Sequence, residues 1–152
     1  MSQFMNHFEW LAEQLRDRGY KITQPRRAIL QALLAASRPL SPADLQEQGQ
    51  AFCEDLGLVT VYRMLEVLEE LGVVRAVHLA DSCHGYVLST PGHTHHMVCE
   101  RCHAVVEISG CELGQFLDIV ADRTGYTITG HWLEISGLCT DCQNARGESD
   151  VS

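Results

Sequence analysis

Apolar residues recur at helical spacing through the first half of the chain. Phe8, Leu11 and Leu15 lie three and four apart, with Tyr20 beyond and Gly19 as a stop, so a first amphipathic helix is expected there. In "TQPRRAILQALLAA", Thr23 stands where a cap belongs and Pro25 falls in the first turn, which opens a second helix. Ser41 and Pro42 open a third, "SPADLQEQGQAFC", by the same logic. Val61, Leu65, Leu68 and Leu71 mark a fourth in "GLVTVYRMLEVLEELG", and Gly72 ends it. The character of the chain then changes. "VVRAVHLA" and "HGYVLS" are β-rich runs on either side of "DSCHG", which reads as a hairpin. Three short helices, a helix opening on small and polar residues, then a hairpin, is the layout of a winged helix-turn-helix. In that layout Thr60, Tyr62 and Arg63, on the first turn of the fourth helix, face base edges and phosphates. The plainer alternative is a helical bundle with a hairpin attached.

"STPGH", residues 89–93, reads as a hinge. Beyond it "HHMVC" and "AVVEIS" read as strands joined by "ERCH", "ELGQFLDIVADRTG" as a helix closed by Gly125, and "YTITGHWLEISG" as a further strand. The polar end, "QNARGESDVS", is expected to be disordered. The domain boundaries are therefore placed at 1–88, 89–92 for the hinge, 93–143, and 144–152 for the tail.

Composition adjusts this picture in two places. No apolar run approaches the roughly 20 residues that cross a bilayer, and the N-terminus lacks the pattern of a secretory signal, so a cytoplasmic protein with no membrane partner is expected. In a reducing compartment the seven cysteines point to metal and not to disulfides. The net charge of -9 argues against a polyanionic partner. Yet residues 16–27 carry five basic side chains and one acidic one, and from this cluster Arg18, Lys21 and Arg26 are the candidate nucleic-acid contacts. Any such surface is a small patch.

Cys99/Cys102 and Cys139/Cys142 are two C-x-x-C knuckles with 36 residues between them. Two knuckles supply the closed four-sulfur shell that zinc prefers where no open position is needed, so a structural zinc is expected and not a catalytic one. The segment "HTHHMVCERC" then raises a second question. On a strand, side chains alternate between faces, so His93 and His95 point one way and His96 the other. His131 is a candidate third ligand for the first face and Glu112 a fourth. For the face of His96 the candidate donors are His78, Asp81, Cys83, His84 and Glu107. Several of these lie in the hairpin, so an ion there would tie the two domains together. Cys53 is expected to pack in the core, and Cys111 is assigned no role.

"TQPRRAIL", "DLGLVTVYRMLEVLEELGVV", "HTHHMVCERC", "VVEISG" and "GHWLEISGLCTDC" together resemble the ferric uptake regulator family of metal-dependent repressors, from about Leu15 to Cys142. The resemblance implies an α+β fold: an N-terminal winged helix-turn-helix, then a small αβ dimerisation domain with a four-cysteine zinc site. It implies a homodimer on double-stranded DNA with an AT-rich palindromic operator. Tyr62 would touch thymine methyls and phosphate, Arg63 the backbone, and Arg18 or Lys21 the minor groove. Metal would act as corepressor. The sequence departs from the iron-type pattern, with Pro39, Val87, Thr94 and Gly114 where that pattern places metal ligands. Sulfur and imidazole donors favour zinc over iron(II), so a regulatory Zn(2+) is preferred, then Fe(2+), with manganese and peroxide responses behind. Two other function classes stand against a repressor: a small zinc hydrolase, which lacks H-E-x-x-H or a similar arrangement here, and a metal-buffering protein. An enzyme is not expected.

Overall fold

The computed structural model describes residues 2–79, 83–89 and 93–147, and the chain divides into two compact units, Met1–Pro91 and Gly92–Ser152. In the first unit, α1 (Ser2–Asp17) buries Leu11, Ala12 and Leu15 along one side, as their spacing requires. Helix α2 (Gln24–Ala35) buries Ala28, Ile29, Leu30, Ala32 and Leu33. Its start differs from the expected one. Thr23 has extended cap geometry, but its side chain makes no capping hydrogen bond; Pro25 in the first turn sets the entry instead.

Helix α3 (Pro42–Gln50) opens on a reciprocal box. The Asp44 N–H donates to Ser41 Oγ at 3.1 Å, and the Ser41 N–H donates to Asp44 Oδ2 at 3.0 Å. The Ser41 hydroxyl and then its N–H hold the Asp44 carboxyl below the usual carboxylate range. The helix stops short of Cys53, because the Gly49 carbonyl accepts from both Phe52 and Cys53 in a tight turn. A Cβ on Gly49 would stand 2.4 Å from Leu56 Cδ2, so any larger residue there needs the Leu56 side chain to shift.

Helix α4 (Leu58–Glu70) buries Val61, Met64, Leu65 and Leu68 and stops where Gly72 takes φ +70°. Strands β1 (Val74–His78) and β2 (His84–Leu88) pair antiparallel from Val74↔Leu88 to His78↔His84. Leu40 exchanges both backbone hydrogen bonds with Tyr86, at 3.1 and 2.8 Å, and so adds a one-residue third strand to the hairpin. One continuous core runs from Leu11 and Leu15 through Leu30, Leu45, Leu56 and Leu65 to Val73 and Val74. Most of the expected hinge, 90–92, and the hairpin turn with Asp81 lie outside the described residues.

The second unit centres on β3 (Thr94–Cys99), which pairs antiparallel with β4 (Val105–Ser109) and parallel with β5 (Glu134–Gly137) in the order β4-β3-β5. Helix α5 (Gly114–Thr124) lies in the crossover and ends at Gly125, φ 70°. The strand expected from Tyr126 onward forms only from Glu134, because β3 offers β5 just the rungs His96↔Glu134 to Cys99↔Gly137. The end of the chain also differs from expectation. Helix α6 (Thr140–Gly147) continues through residues read as tail, and 148–152 lie outside the described residues.

This unit has little core of its own. Among the described residues its buried apolar side chains are Val98, Cys99 and Cys142, and α5 buries none of its residues. Val106, Phe116, Ile119, Tyr126 and Trp132 are exposed instead. Among the described residues no helix is long and apolar enough to cross a membrane.

Two substitutions test the first unit in the full chain by urea unfolding. Leu30→Ala, at a fully buried position of α2, is expected to cost about 2–5 kcal/mol. Ser41→Ala, which removes the α3 cap, is expected to cost about 1 kcal/mol.

Candidate metal centres

Parallel strands end at the same edge of a sheet. Strands β3 and β5 run parallel with Cys99 opposite Gly137, and each is followed by a C-x-x-C turn. The two knuckles therefore meet. The sulfurs of Cys99, Cys102, Cys139 and Cys142 all lie within 4.8 Å of one another, and Cys102 Sγ is 3.7 Å from Cys139 Sγ. Four thiolates about 2.3 Å from a tetrahedral zinc would be about 3.8 Å apart. Backbone groups fix the turns. The Glu100 N–H donates to the Gly137 carbonyl at 2.8 Å, the Cys139 N–H donates to Cys99 Sγ at 3.4 Å, and Arg101 reaches the Cys142 carbonyl at 3.2 Å. His103 takes φ 60°, the left-handed turn that closes the first knuckle.

The thiols have unequal acidity. N–H groups of Cys102, Cys139 and Arg101 bring the Cys99 thiol down to about 6. Burial first, then hydrogen bonding to the other three sulfurs, pushes the Cys142 thiol up to about 12. Packed together, the four sulfurs disfavour ionising as a set unless a cation lies among them. A dication held by these four residues would supply that charge and keep all four deprotonated. The donor set thus fits a closed, structural zinc.

A second group forms from His93, His95, Cys111 and His131, whose donor atoms also lie within 4.8 Å of one another. His93 Nε2 is 2.8 Å from His131 Nε2, and Cys111 Sγ is 3.2 Å from the same nitrogen. The His95 ring sits 4.9 Å from that of His93 and 5.2 Å from that of His131. His95 is only 6% exposed, and its Nε2 has no hydrogen-bond partner among the described residues. Burial, followed by the charges of His93 and His95, lowers the His131 ring below the ordinary 6.5. It therefore stays neutral, and able to bind metal, further into acid than a free imidazole.

Glu112 does not join this group; it is exposed, and Cys111 takes the fourth place. The reason is local. Strand β4 returns antiparallel to β3 with Ser109 opposite Thr94, and Gly110 at φ +85° turns the next residue back beside the histidines. That signal is present in the sequence once the β3–β4 register is known: a Gly-Cys pair just past the strand end reaches the level of His93.

The other face of β3 is used differently. His96 is buried, and its register partner Glu107 places Oε2 3.7 Å from His96 Nε2. On the first unit, His78 and His84 are opposed across the hairpin with ring centroids 4.7 Å apart, and Cys83 is exposed. Of the donors expected together, His78, Cys83 and His84 thus lie on the first unit and His96 and Glu107 on the second.

The residues expected to meet DNA are mostly open. Thr60, Tyr62 and Arg63 are exposed on the first turns of α4, next to exposed Leu58 and Val59 and opposite the buried face of Val61 and Leu65. Arg18 and Lys21 are exposed as well. Arg26 is held locally. It donates to the Lys21 carbonyl at 2.7 Å, and its guanidinium lies 5.1 Å from the Tyr20 ring centroid.

The profile of the Ferric uptake regulator family matches residues 17–136 of this chain. The ferric uptake regulation protein of Neisseria meningitidis is 35% identical over 140 residues, covering 89% of this chain and 94% of its own. Among solved structures, the ferric uptake regulator of Vibrio cholerae is 32% identical, with a TM-score of 0.58, over 84% of this chain and 98% of that one. A zinc uptake regulator in complex with zinc and DNA has a TM-score of 0.78 over 95% of this chain and 97% of that one; at 23% identity that likeness is one of fold.

Cys99→Ser tests the four-sulfur centre. Elemental analysis of the purified protein is expected to show one zinc fewer per chain, together with a lower melting temperature. Unchanged values of both would remove the structural zinc from this site.

Proposed function

The chain belongs to the ferric uptake regulator family, and on that premise we propose that it is a cytoplasmic, homodimeric repressor that binds DNA when a regulatory zinc ion is bound. Members of the family are metal-responsive transcriptional regulators that bind DNA as dimers. The zinc response, the operator and the residue roles are the proposal.

The observation that carries it is the presence of a second donor group besides the four sulfurs. A structural zinc accounts for Cys99, Cys102, Cys139 and Cys142. It leaves His93, His95, Cys111 and His131 gathered without a structural need. Imidazole and sulfur are donors for zinc, whereas manganese takes oxygen-rich sets and non-haem iron(II) a carboxylate among its imidazoles. Four protein donors also leave no open position for a metal-bound water, which disfavours the zinc hydrolase. His78, Cys83, His84, His96 and Glu107 are proposed as further regulatory donors, with iron(II) the second choice of ion.

The DNA contacts are assigned to the first turns of α4. Leu58, Val59 and Tyr62 are exposed at 37, 64 and 48%, apolar surface that a thymine methyl in the major groove would cover. Arg63, with Arg18 and Lys21, supplies charge for the phosphates, and Thr60 a hydroxyl. Arg26 acts by holding the Lys21 loop. An AT-rich palindrome matches a two-fold dimer. The dimer itself is supported by the exposed apolar residues of the second unit, among them Val106, Phe116 and Ile119, which a second copy would bury.

Operator binding titrated against free Zn(II), Fe(II) and Mn(II), with the four-sulfur site kept filled, is expected to respond to zinc at the lowest concentration. Tyr62→Ala is expected to weaken binding by about 10- to 100-fold without changing the melting temperature. Affinity is expected to fall with salt at a slope of about 0.9 per phosphate contact. Binding that persists after the exchangeable ion is stripped would end the corepressor reading.

A further inference from the structure

Cys111 is the one donor of the second group that is not an imidazole. Gly110 at φ +85° turns it inward, and its sulfur stands 3.2 Å from His131 Nε2. His95 shows independently that the group is built for a ligand. It is almost fully buried among the other imidazoles, and one of its nitrogens finds no partner among the described residues. A buried imidazole nitrogen left unpaired costs free energy unless something completes it. Metal coordination would do so, and His93, Cys111 and His131 each offer a donor atom within 4.8 Å.

We infer that Cys111 is the fourth ligand of a closed three-nitrogen, one-sulfur centre, and that occupancy of this centre by an ion of the zinc or cobalt(II) class decides whether Cys111 is open to modification. The inference rests on reading the histidine group as an ion site, and it adds a sulfur ligand and a consequence. On binding, the thiol proton goes to solvent and the sulfur lone pair to the metal. The ion neutralises the thiolate, so the sulfur is a poorer nucleophile than the free thiolate. With the site empty, Cys111 is half-buried, its sulfur 3.2 Å from His131 Nε2 and bound to no ion. An electrophile then reaches it. With iodoacetamide an S–C bond forms, the C–I bond breaks, and iodide leaves.

The test uses the full chain with zinc in the four-sulfur site and one further equivalent of cobalt(II). A sulfur-to-cobalt charge-transfer band in the near ultraviolet is expected. It should persist in Cys53→Ser and Cys83→Ser and vanish in Cys111→Ser. Cys111→Asp, which restores an anionic donor, should bind cobalt without the band. Zinc affinity of Cys111→Ser should fall by more than about tenfold, the lower end of what losing even an outer-shell partner costs. In the parent protein a second zinc equivalent should slow iodoacetamide labelling of Cys111, read by peptide mass spectrometry, and leave Cys53 unchanged. A band that survives Cys111→Ser, a parent protein without the band, or equal labelling with and without the second zinc would overturn the inference. Operator binding on the same samples separates the two readings. Zinc-dependent DNA binding without the band sinks only the sulfur ligand, whereas the band without DNA binding in any metal sinks only the repressor.

Discussion

The second unit depends on a four-rung parallel ladder between β3 and β5. From His96↔Glu134 to Cys99↔Gly137 it sets two strand ends side by side, and the knuckles that follow have no choice but to face each other. Little else holds this unit. Its buried apolar side chains are few, and two of them are cysteines of the cluster. A segment this small buries too little surface for independent stability, and natural domains of such size add a metal or a partner chain. Both remedies are visible here: the four sulfurs, and an uncovered apolar face on α5 and β4.

The same strand serves both of its faces. His93 and His95 join one donor set while His96, one residue on, is buried on the other side against Glu107. Period-two alternation makes this economical. Six residues of one strand carry a sulfur ligand at one end and, with His93 just before it, an imidazole pair at the other. The cost is a run of polar side chains in the middle of a sheet. His95 and His96 are each close to fully buried, and both rings need a partner in that position.

Much of this was legible in the chain. The helices were marked by apolar spacing, by Ser41 and Pro42, and by Gly72 and Gly125, because caps and stops act over one turn. The sulfur cluster was legible because two C-x-x-C turns define it without reference to distance. Cys111 was missed because its place depends on the β3–β4 register, a non-local property. The start of β5 was misjudged for a related reason: Tyr126–Leu133 has a strand-like composition, but a strand needs a neighbour, and β3 offers only four rungs. Thr23 had the right position for a cap without making the bond. Helix α6 begins directly after Cys139, so its residues are anchored by Cys142 at a point where composition alone suggested a loose end.

The exchange of hydrogen bonds between Leu40 and Tyr86 has a mechanical meaning. Leu40 immediately precedes the Ser41–Asp44 box, so the hairpin is riveted to the root of α3, and α3 in turn packs on α4. A push applied to the hairpin is passed along this chain of contacts with little slack. Helix α4, with its exposed first turns, is thereby joined to the hairpin through α3 as well as through its own C-terminal end.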